Sequence, residues 1–380
     1  PVQQQFWYRS TKFVMRRALP IGLATVALLA LLGAPFFGVK PGFPDDRVLP
    51  KSASAHQVGD RLRSDFAIDS DSEIPIVIPD SGGLSRADVD RYAIELSAVS
   101  EVDSVSAPSG SYVNGRLAGP PLAATGEASG STLLTVGTSL PLFSQESENQ
   151  LTRLHAVPSP DGRTVEFGGL AQTNRDSVHA ITSRLPLVLG LIAVIMLVLL
   201  FLLTGSVVLP VKALILNMLS LSAAFGATVW IFQEGHLGAL GTTATGTLVA
   251  NMPVLLFCVA FGLSMDYEVF LVSRIREFWL ASQQTAADND ESVALGLART
   301  GRVITAAAVI MAITFSALIA AKVALMRLFG VGLTLAVLMD ATLVRLVLVP
   351  AFMHVAGKWN WWAPRPLRVL HEKFGIRESA

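Results

Sequence analysis

MPVLLFCVAFGLSMDYEVFLVS, residues 252–273, is a run of 22 residues that is long and apolar enough to cross a lipid bilayer as a helix. The carboxylate of Asp266 interrupts this run, and that of Glu268 follows two residues later. A charged side chain at the centre of a bilayer costs about 2.5–3.5 kcal/mol on insertion scales, and acids kept at that depth are usually functional. The run therefore predicts a transmembrane helix that carries a site for proton or ion traffic.

Further apolar runs indicate that the chain crosses the membrane several times. Hydrophobic residues make up 52% of the chain and charged residues only 15%, whereas soluble domains carry about 25% charged residues. Runs of about 20 apolar residues predict membrane helices. They lie at 18–39, 185–203, 207–232, 252–273, 303–321 and 328–352. The predicted fold class is an α-helical membrane protein with six transmembrane helices, of which the last five form a bundle over 185–356.

The distribution of Lys and Arg predicts the side of the membrane on which each segment lies. Cytoplasmic segments carry the excess of positive charge, and the segment 1–17 and the tail 357–380 are both basic. Residues 40–184 contain 19 acids and 12 bases, so the rest of the chain, from totals of 29 and 29, contains 10 acids and 17 bases. We expect both termini in the cytoplasm, residues 40–184 outside it, and no binding to nucleic acid.

Residues 40–184 have the pattern of an α+β domain inserted after the first transmembrane helix. Alternation and turn residues predict strands at 73–78, 102–107, 131–136 and 164–168, and helices at 85–97 and 145–155. A connection rich in Gly, Pro and Ser at 108–130 separates the two strand-helix-strand units. Two such units side by side predict a ferredoxin-like domain of the porter type.

Asp266 and Tyr267 are the first candidates for a functional site. Burial disfavours the charged form of a carboxyl group, so a buried acid can take up and release a proton near neutral pH. Tyr267 follows at about 100° round the helix and can donate a hydrogen bond to the ionised acid. The alternative is a structural Asp that is hydrogen-bonded between helices. The pair predicts a proton relay.

Other polar residues within the predicted spans are candidates for supporting roles. Ser264, two residues before Asp266, could hydrate that acid. Asp340 and Arg345 are about 140° apart on an α-helix, so they are not expected to pair directly. Arg345 could instead reach the membrane surface or neutralise Glu268. Asn217 is expected to hydrogen-bond between helices.

Two cytoplasmic segments have weaker patterns. Residues 285–298, in the loop between the fourth and fifth predicted spans, indicate a short helix on the inner surface. It would either couple these two spans or serve as a passive connector. The tail segment WNWWAPRP at 359–366 is typical of an interfacial anchor, because indole rings favour the headgroup region.

The layout of one span, a large outer domain and five spans resembles half of a transporter of the resistance-nodulation-division superfamily. The segment FGLSMDYEVFLVSRIRE at 261–277 resembles the fourth helix of a half-unit in the mycobacterial large membrane protein (MMPL) family. Further similarity runs through TGRVIT at 300–305, DATLVR at 340–345, PA at 350–351 and WNWW at 359–362.

This resemblance implies a function, a position in a longer protein and a role for two residues. The family is implied to export lipids or other hydrophobic cell-envelope molecules across the plasma (inner) membrane, driven by the proton-motive force. The chain resembles the C-terminal, second half of such a transporter. Asp266 and Tyr267 would relay protons together with a counterpart pair. The implied partners are membrane lipids as substrate, protons, an N-terminal half or second half-transporter chain, and further copies in an oligomer.

The sequence contains no motif for ATP binding or for hydrolysis. The phosphate-binding GxxxxGK[S/T], the zinc-binding HExxH and the nucleophile GxSxG are all absent from it. We therefore expect a secondary transporter and not an enzyme, with no cofactor and no metal. Two alternatives stay open. One is a SecD/SecF-like subunit that uses protons to translocate proteins, and the other is a non-transporting sterol-sensing or scaffold protein.

Overall fold

The computed structural model describes residues 4–65 and 72–375, most of which are helical. Residues 1–3 and 376–380, at the ends of the two predicted cytoplasmic segments, lie outside the described residues. The described helices are α1 Phe6–Arg16, α2 Ala18–Gly33, α3 Ser54–Asp65, α4 Arg86–Ser97, α5 Gln145–His155, α6 Gly169–Thr204, α7 Val208–Thr228, α8 Met252–Leu280, α9 Ala286–Ser316, α10 Ala324–Met339, α11 Val349–Ala356 and α12 Arg365–Phe374. The chain forms two compact units, one at 41–183 and one made of the residues before and after it. We call them the outer unit and the transmembrane unit, after the locations expected from the sequence.

Six helical segments among the described residues are long and apolar enough to cross a membrane. They are Ala18–Gly38, Gly169–Thr204, Val208–Gln233, Met252–Leu280, Ala286–Ala320 and Ala324–Trp361. Short 3₁₀ or π segments continue α2, α7 and α9 at their C-terminal ends and join α10 to α11. With the family evidence given below, these helices make the chain a multi-pass membrane protein.

Helix α9 is longer than the sequence pattern indicated. The Thr285 hydroxyl accepts from the Asp288 backbone N–H, and the Asp288 carboxylate accepts from the Thr285 backbone N–H. This capping box starts the helix, and no proline follows before Ser316. The prediction of a separate short helix at 285–298 is therefore wrong, because the same helix continues into the membrane span.

Small residues let α2 and α7 approach each other closely within the transmembrane unit. A Cβ atom added at Gly226 would lie 2.0 Å from the Leu32 carbonyl oxygen and 2.8 Å from the Gly33 Cα. Such separations are shorter than van der Waals contact, so only glycine fits there without a shift of backbone. Small residues at helix interfaces are a common source of packing energy in membranes.

We expect Gly226→Ala to destabilise the transmembrane unit by about 1–3 kcal/mol, because the added methyl group must push α2 away from α7. The measurement is thermal unfolding of the purified chain in detergent. Gly190→Ala on α6 is the matched control, since a Cβ there meets no atom within 4 Å. Equal unfolding temperatures for Gly226→Ala and the wild type would contradict the close packing.

The outer unit is built on an antiparallel sheet. Its strands are β2 Ile74–Ile78, β3 Ser104–Ala107, β4 Gly110–Val113, β5 Arg116–Gly119, β6 Gly126–Ala128, β7 Ser131–Gly137 and β8 Glu166–Phe167, while β1 Pro41–Gly42 and β9 Leu248–Val249 are short strands outside this sheet. The strand order is β5-β4-β3-β7-β2-β8, with β6 paired to β7, and all of these pairs are antiparallel. The connection predicted at 108–130 thus contains three short strands.

The core of the outer unit lies beneath the central strands. Ile74, Ile76 and Ile78 of β2 are fully buried, together with Leu96 of α4 and Leu151 of α5. Each helix follows a central strand, α4 after β2 and α5 after β7. At the start of α4, Ser85 and Asp88 form a capping box.

Candidate functional site in the transmembrane unit

Arg345 is the centre of a buried group of charged side chains. Its side chain is 1% exposed. The Nε and Nη2 atoms donate to Asp340 Oδ2 at 2.9 and 2.8 Å. Nη2 also donates to the backbone carbonyl oxygen of Ser264 and, at 3.3 Å, to its hydroxyl oxygen. A buried charge is tolerated when it is paired and hydrogen-bonded, and these contacts meet that condition for one edge of the guanidinium.

The direct pairing of Asp340 with Arg345 overturns the expectation from the sequence. Residues Asp340–Leu348 form a π-helix rather than an α-helix. In a π-helix the backbone hydrogen bonds join residues five apart, so side chains five apart lie on nearly the same side. The expectation that Arg345 could reach the membrane surface is also wrong, because its guanidinium is buried among α8 and the π-helix.

Glu268 joins this group from α8, and Lys212 joins it from α7. Arg345 Nη1 lies 3.8 Å from Glu268 Oε2, which is the neutralising contact considered from the sequence. Lys212 Nζ lies 3.2 Å from Glu268 Oε1. The side chains of Lys212 and Glu268 are 1% and 5% exposed. We call Lys212, Glu268, Asp340 and Arg345 the ion cluster; its two acids and two bases can balance each other in charge.

Lys212 was not recognised from the sequence. It lies in VLPVKALIL, residues 208–216, where it is the only charged residue. A lysine within an apolar run needs a partner as much as an aspartate does, so the signal was present. Its position near the end of a predicted span made it resemble a residue at the membrane surface.

Asp266 lies apart from the ion cluster although it is only two residues from Glu268. Two residues on an α-helix are about 200° apart, so Asp266 is on the opposite side of α8 and is exposed. Tyr267 is half-buried between these two sides. The Arg345 Cζ atom lies 5.3 Å from the centre of the Tyr267 ring, and the tyrosine hydroxyl donates to Met311 Sδ at 3.0 Å.

The remaining sequence-predicted residues differ in how they relate to the ion cluster. Ser264 contacts Arg345, and its hydroxyl has no described contact with Asp266. Asn217 is buried on α7, but neither polar atom of its side-chain amide has a hydrogen-bond partner among the described residues. The helix-bridging role predicted for Asn217 therefore has no contact to support it within residues 4–65 and 72–375.

The arrangement brings together groups that can take part in acid-base chemistry within the membrane. Within the described ranges, no three His, Cys, Asp or Glu residues are grouped closely enough to hold a metal ion. Arg345 bridges two acids and also contacts the ring of Tyr267. A change in the charge of any one of these groups alters the electrostatic energy of the others, since interactions between charges are strong where water is excluded.

Comparison with known proteins gives relatives along almost the whole chain. It is 35% identical to a membrane protein of Streptomyces coelicolor over 98% of this chain and 49% of that protein. It is 31% identical to the trehalose monomycolate exporter MmpL3 of Mycobacterium tuberculosis over 99% of this chain and 39% of the exporter. It is 33% identical to the mycolic acid-containing lipids exporter MmpL11 of Mycolicibacterium smegmatis, with coverages of 97% and 38%.

The chain thus spans about two fifths to one half of the length of these relatives. A crystal structure of a heavy metal efflux pump has a similar fold, with a TM-score of 0.50 at 14% identity, covering 92% of this chain and 52% of the pump. At that identity the likeness concerns the fold alone. The model of the MMPL family matches residues 47–374, and the chain belongs to the MMPL family.

Proposed function

We propose that this chain is the second half of a transporter that exports lipids or other hydrophobic cell-envelope molecules across the plasma membrane, driven by the proton-motive force. The observation that carries the proposal is the ion cluster, which joins α7, α8 and the π-helix through buried charges. Charged side chains are energetically costly inside a membrane, and those that are present usually mark a proton or ion pathway. Relatives named as exporters of trehalose monomycolate and of mycolic acid-containing lipids support a lipid cargo.

In this proposal Asp266 takes up and releases the proton with the Tyr267 hydroxyl as its proton-transfer partner, and the Tyr267 ring transmits the change in charge to the ion cluster. Protonation removes a negative charge from the residue next to Tyr267, and the Tyr267 ring lies 5.3 Å from Arg345 Cζ. Arg345 holds Asp340 and Ser264, so a shift of its guanidinium would move the π-helix relative to α8. Each proton that crosses a potential of 100 mV contributes about 2.3 kcal/mol, and a few protons suffice to drive such a rearrangement.

The proposed transporter half has a defined orientation in the membrane and needs a partner that supplies a counterpart acid. The basic ends of the chain favour cytoplasmic termini by the positive-inside rule, which would put the outer unit on the far side of the membrane. The strand order of β3, β7, β2 and β8, with a helix after β2 and another after β7, supports a ferredoxin-like interpretation of that unit. The exposed Asp266 would face a counterpart acid in the N-terminal half or in a second chain.

The test is lipid transport in proteoliposomes that contain the chain together with its first half. With no ATP present, an imposed pH gradient should move a labelled trehalose glycolipid, and an uncoupler should stop the movement. Transport that continues without a gradient would overturn the proposed energy source. Proton-driven movement of a preprotein with no movement of the lipid would favour the SecD/SecF-like alternative.

We expect Tyr267→Phe to lower proton-coupled transport by about tenfold or more, because removing a proton-transfer partner commonly slows a reaction at least that much. The phenyl ring keeps its place beside Arg345, so the fold should lose less than about 1.5 kcal/mol with the hydroxyl. Transport rate and unfolding temperature are measured together. Tyr8→Phe is the matched control, since that hydroxyl donates to Glu291 at 2.9 Å and has no described contact with the ion cluster. Full transport by Tyr267→Phe would exclude the hydroxyl from the relay.

A further inference from the structure

An apolar groove lies on the surface of the transmembrane unit between the start of α7 and α11. It has a volume of about 280 Å³. Val211 and Ile215 of α7 line it and are 41% and 60% exposed, and Phe352 of α11 contributes an aromatic ring. Lys212 also lines the groove. Its Nζ atom is buried next to Glu268 and its side chain is 1% exposed, so the lysine adds no charge to the surface of the groove.

The tail of the chain crosses the end of this groove. The Val207 backbone N–H, in the residue just before α7, donates to the Trp362 carbonyl oxygen at 3.1 Å. The hydroxyl of Ser206 donates to the Asn360 carbonyl oxygen at 2.5 Å. Asn360 is fully buried, so this part of the tail packs against the rest of the transmembrane unit. Exposed Trp359 and Trp362 still suit the interfacial role predicted for this segment.

Basic residues of α12 lie next to this point. The Arg368 Nη2 atom donates to the Ala363 carbonyl oxygen at 3.3 Å, one residue beyond Trp362. Arg365 is three residues before Arg368 and therefore projects from the same side of α12. Both arginines are exposed. The Arg368 guanidinium thus lies next to the point at which the tail binds Val207, and Arg365 is one turn away on the same helix.

Helix α12 has the character of a helix that lies in a membrane surface. Its exposed apolar residues Leu370 and Phe374 share one side, while Arg365, Arg368 and Lys373 lie on other sides. The ring of His371 lies 5.9 Å from the ring of Phe201 near the end of α6, which holds the helix against the transmembrane unit. A helix of this kind places its basic residues at the level of lipid headgroups when its apolar side enters the membrane.

We propose that this groove and these arginines form a binding site for one anionic phospholipid of the adjoining leaflet. An acyl chain fits the apolar groove between α7 and α11, and the phosphate group pairs with Arg365 and Arg368. The lipid is a resident ligand and not the exported cargo, so the inference is independent of the proposed transport function. Because Lys212 follows Val211 in the wall of the groove, an acyl chain there adds to the apolar cover over the pair that Lys212 forms with Glu268.

The test is native mass spectrometry of the purified full chain in mild detergent, titrated with dioleoylphosphatidylglycerol or dioleoylphosphatidylcholine. One molecule of the anionic lipid should bind more tightly than the zwitterionic lipid. Replacement of both arginines, Arg365→Gln with Arg368→Gln, should weaken its affinity by about fivefold per arginine. Val211→Trp should fill the groove and abolish tight binding of the lipid. Glycerol 3-phosphate, which has the phosphate but no acyl chain, should not compete.

Two substitutions on α9 serve as matched controls. Arg302→Gln removes an exposed arginine and Val303→Trp enlarges an exposed valine, both away from the groove. Equal affinity for the two lipids, or unchanged affinity in the double arginine variant, would overturn the site. An equal effect of Val303→Trp and Val211→Trp would do the same. If Val211→Trp unfolds, Ile215→Trp tests the same groove, and unfolding temperatures without added lipid identify variants that are merely unstable.

Discussion

Replacing Asp266 by Asn is expected to stop proton-coupled lipid transport while the fold stays intact. The amide has the shape of the acid but cannot release a proton. Loss of a proton-transfer group commonly lowers a rate by about 10²–10⁴-fold, so we expect proton flux and export to fall by at least about a hundredfold. Asp266 is exposed and lies outside the ion cluster, so the unfolding temperature should change little.

The surroundings of Asp266 explain why so large an effect is expected from an exposed residue. On the same helix, Leu255, Val259 and Val269 are also exposed, at 47%, 38% and 40%. A carboxylate within such an apolar belt is costly when it faces lipid. The cost is removed if the acid is neutral, or if it faces a polar group of the first half. A proton carrier alternates between these two states, the neutral acid and the ionised acid that faces a polar group.

The measurement is proton flux and labelled-lipid transport in proteoliposomes that contain both halves, at matched protein levels. Glu277→Gln is the matched control, because Glu277 is an acid on the same helix that forms an exposed ion pair with Arg274 at 2.5 Å. Undiminished flux in Asp266→Asn would exclude this residue as the proton carrier. An equal loss in Glu277→Gln would indicate a general effect of charge on α8 instead.

The apolar helices and the central strands of the outer unit were predictable because their signals are local. A run of about 20 apolar residues has few alternatives to a membrane helix. The alternation in β2 and the capping pattern at Ser85 likewise depend on residues close together in the chain. The three short strands within 108–130 were missed, since Gly-rich segments lack the alternating pattern that identifies a strand.

The sequence indicated three of the four residues of the ion cluster but not the contacts between them. Asp340, Arg345 and Glu268 were all candidates, because charges within apolar runs are conspicuous. The pairing of Asp340 with Arg345 depends on a π-helix, and no local residue pattern predicts a π-helix here. Lys212 was missed because only the fold brings it to its partner Glu268. The two residues are 56 positions apart in the sequence (268 − 212).

Arg345→Met is expected to destabilise the transmembrane unit by about 3–5 kcal/mol, the usual result of removing one partner from a buried ion pair. Asp340 would lose the Arg345 guanidinium, which makes both of its described charged contacts. Glu268 would keep Lys212 at 3.2 Å. The substitution keeps a long apolar side chain, so the loss reports an uncompensated charge more than a cavity. Unfolding by denaturant in detergent measures it.

A second substitution separates the charge effect from a general loss of packing. Asp340→Asn alone should cost less than Arg345→Met, because Arg345 keeps its contacts with Ser264 and Glu268. Combined with Arg345→Met, it removes the acid and the base together, so the double variant should be more stable than Arg345→Met alone. The double-mutant cycle then gives the coupling energy of the pair. If the two single losses simply add, the contact across the π-helix contributes no stability, and the retention of both charges must be explained by transport alone.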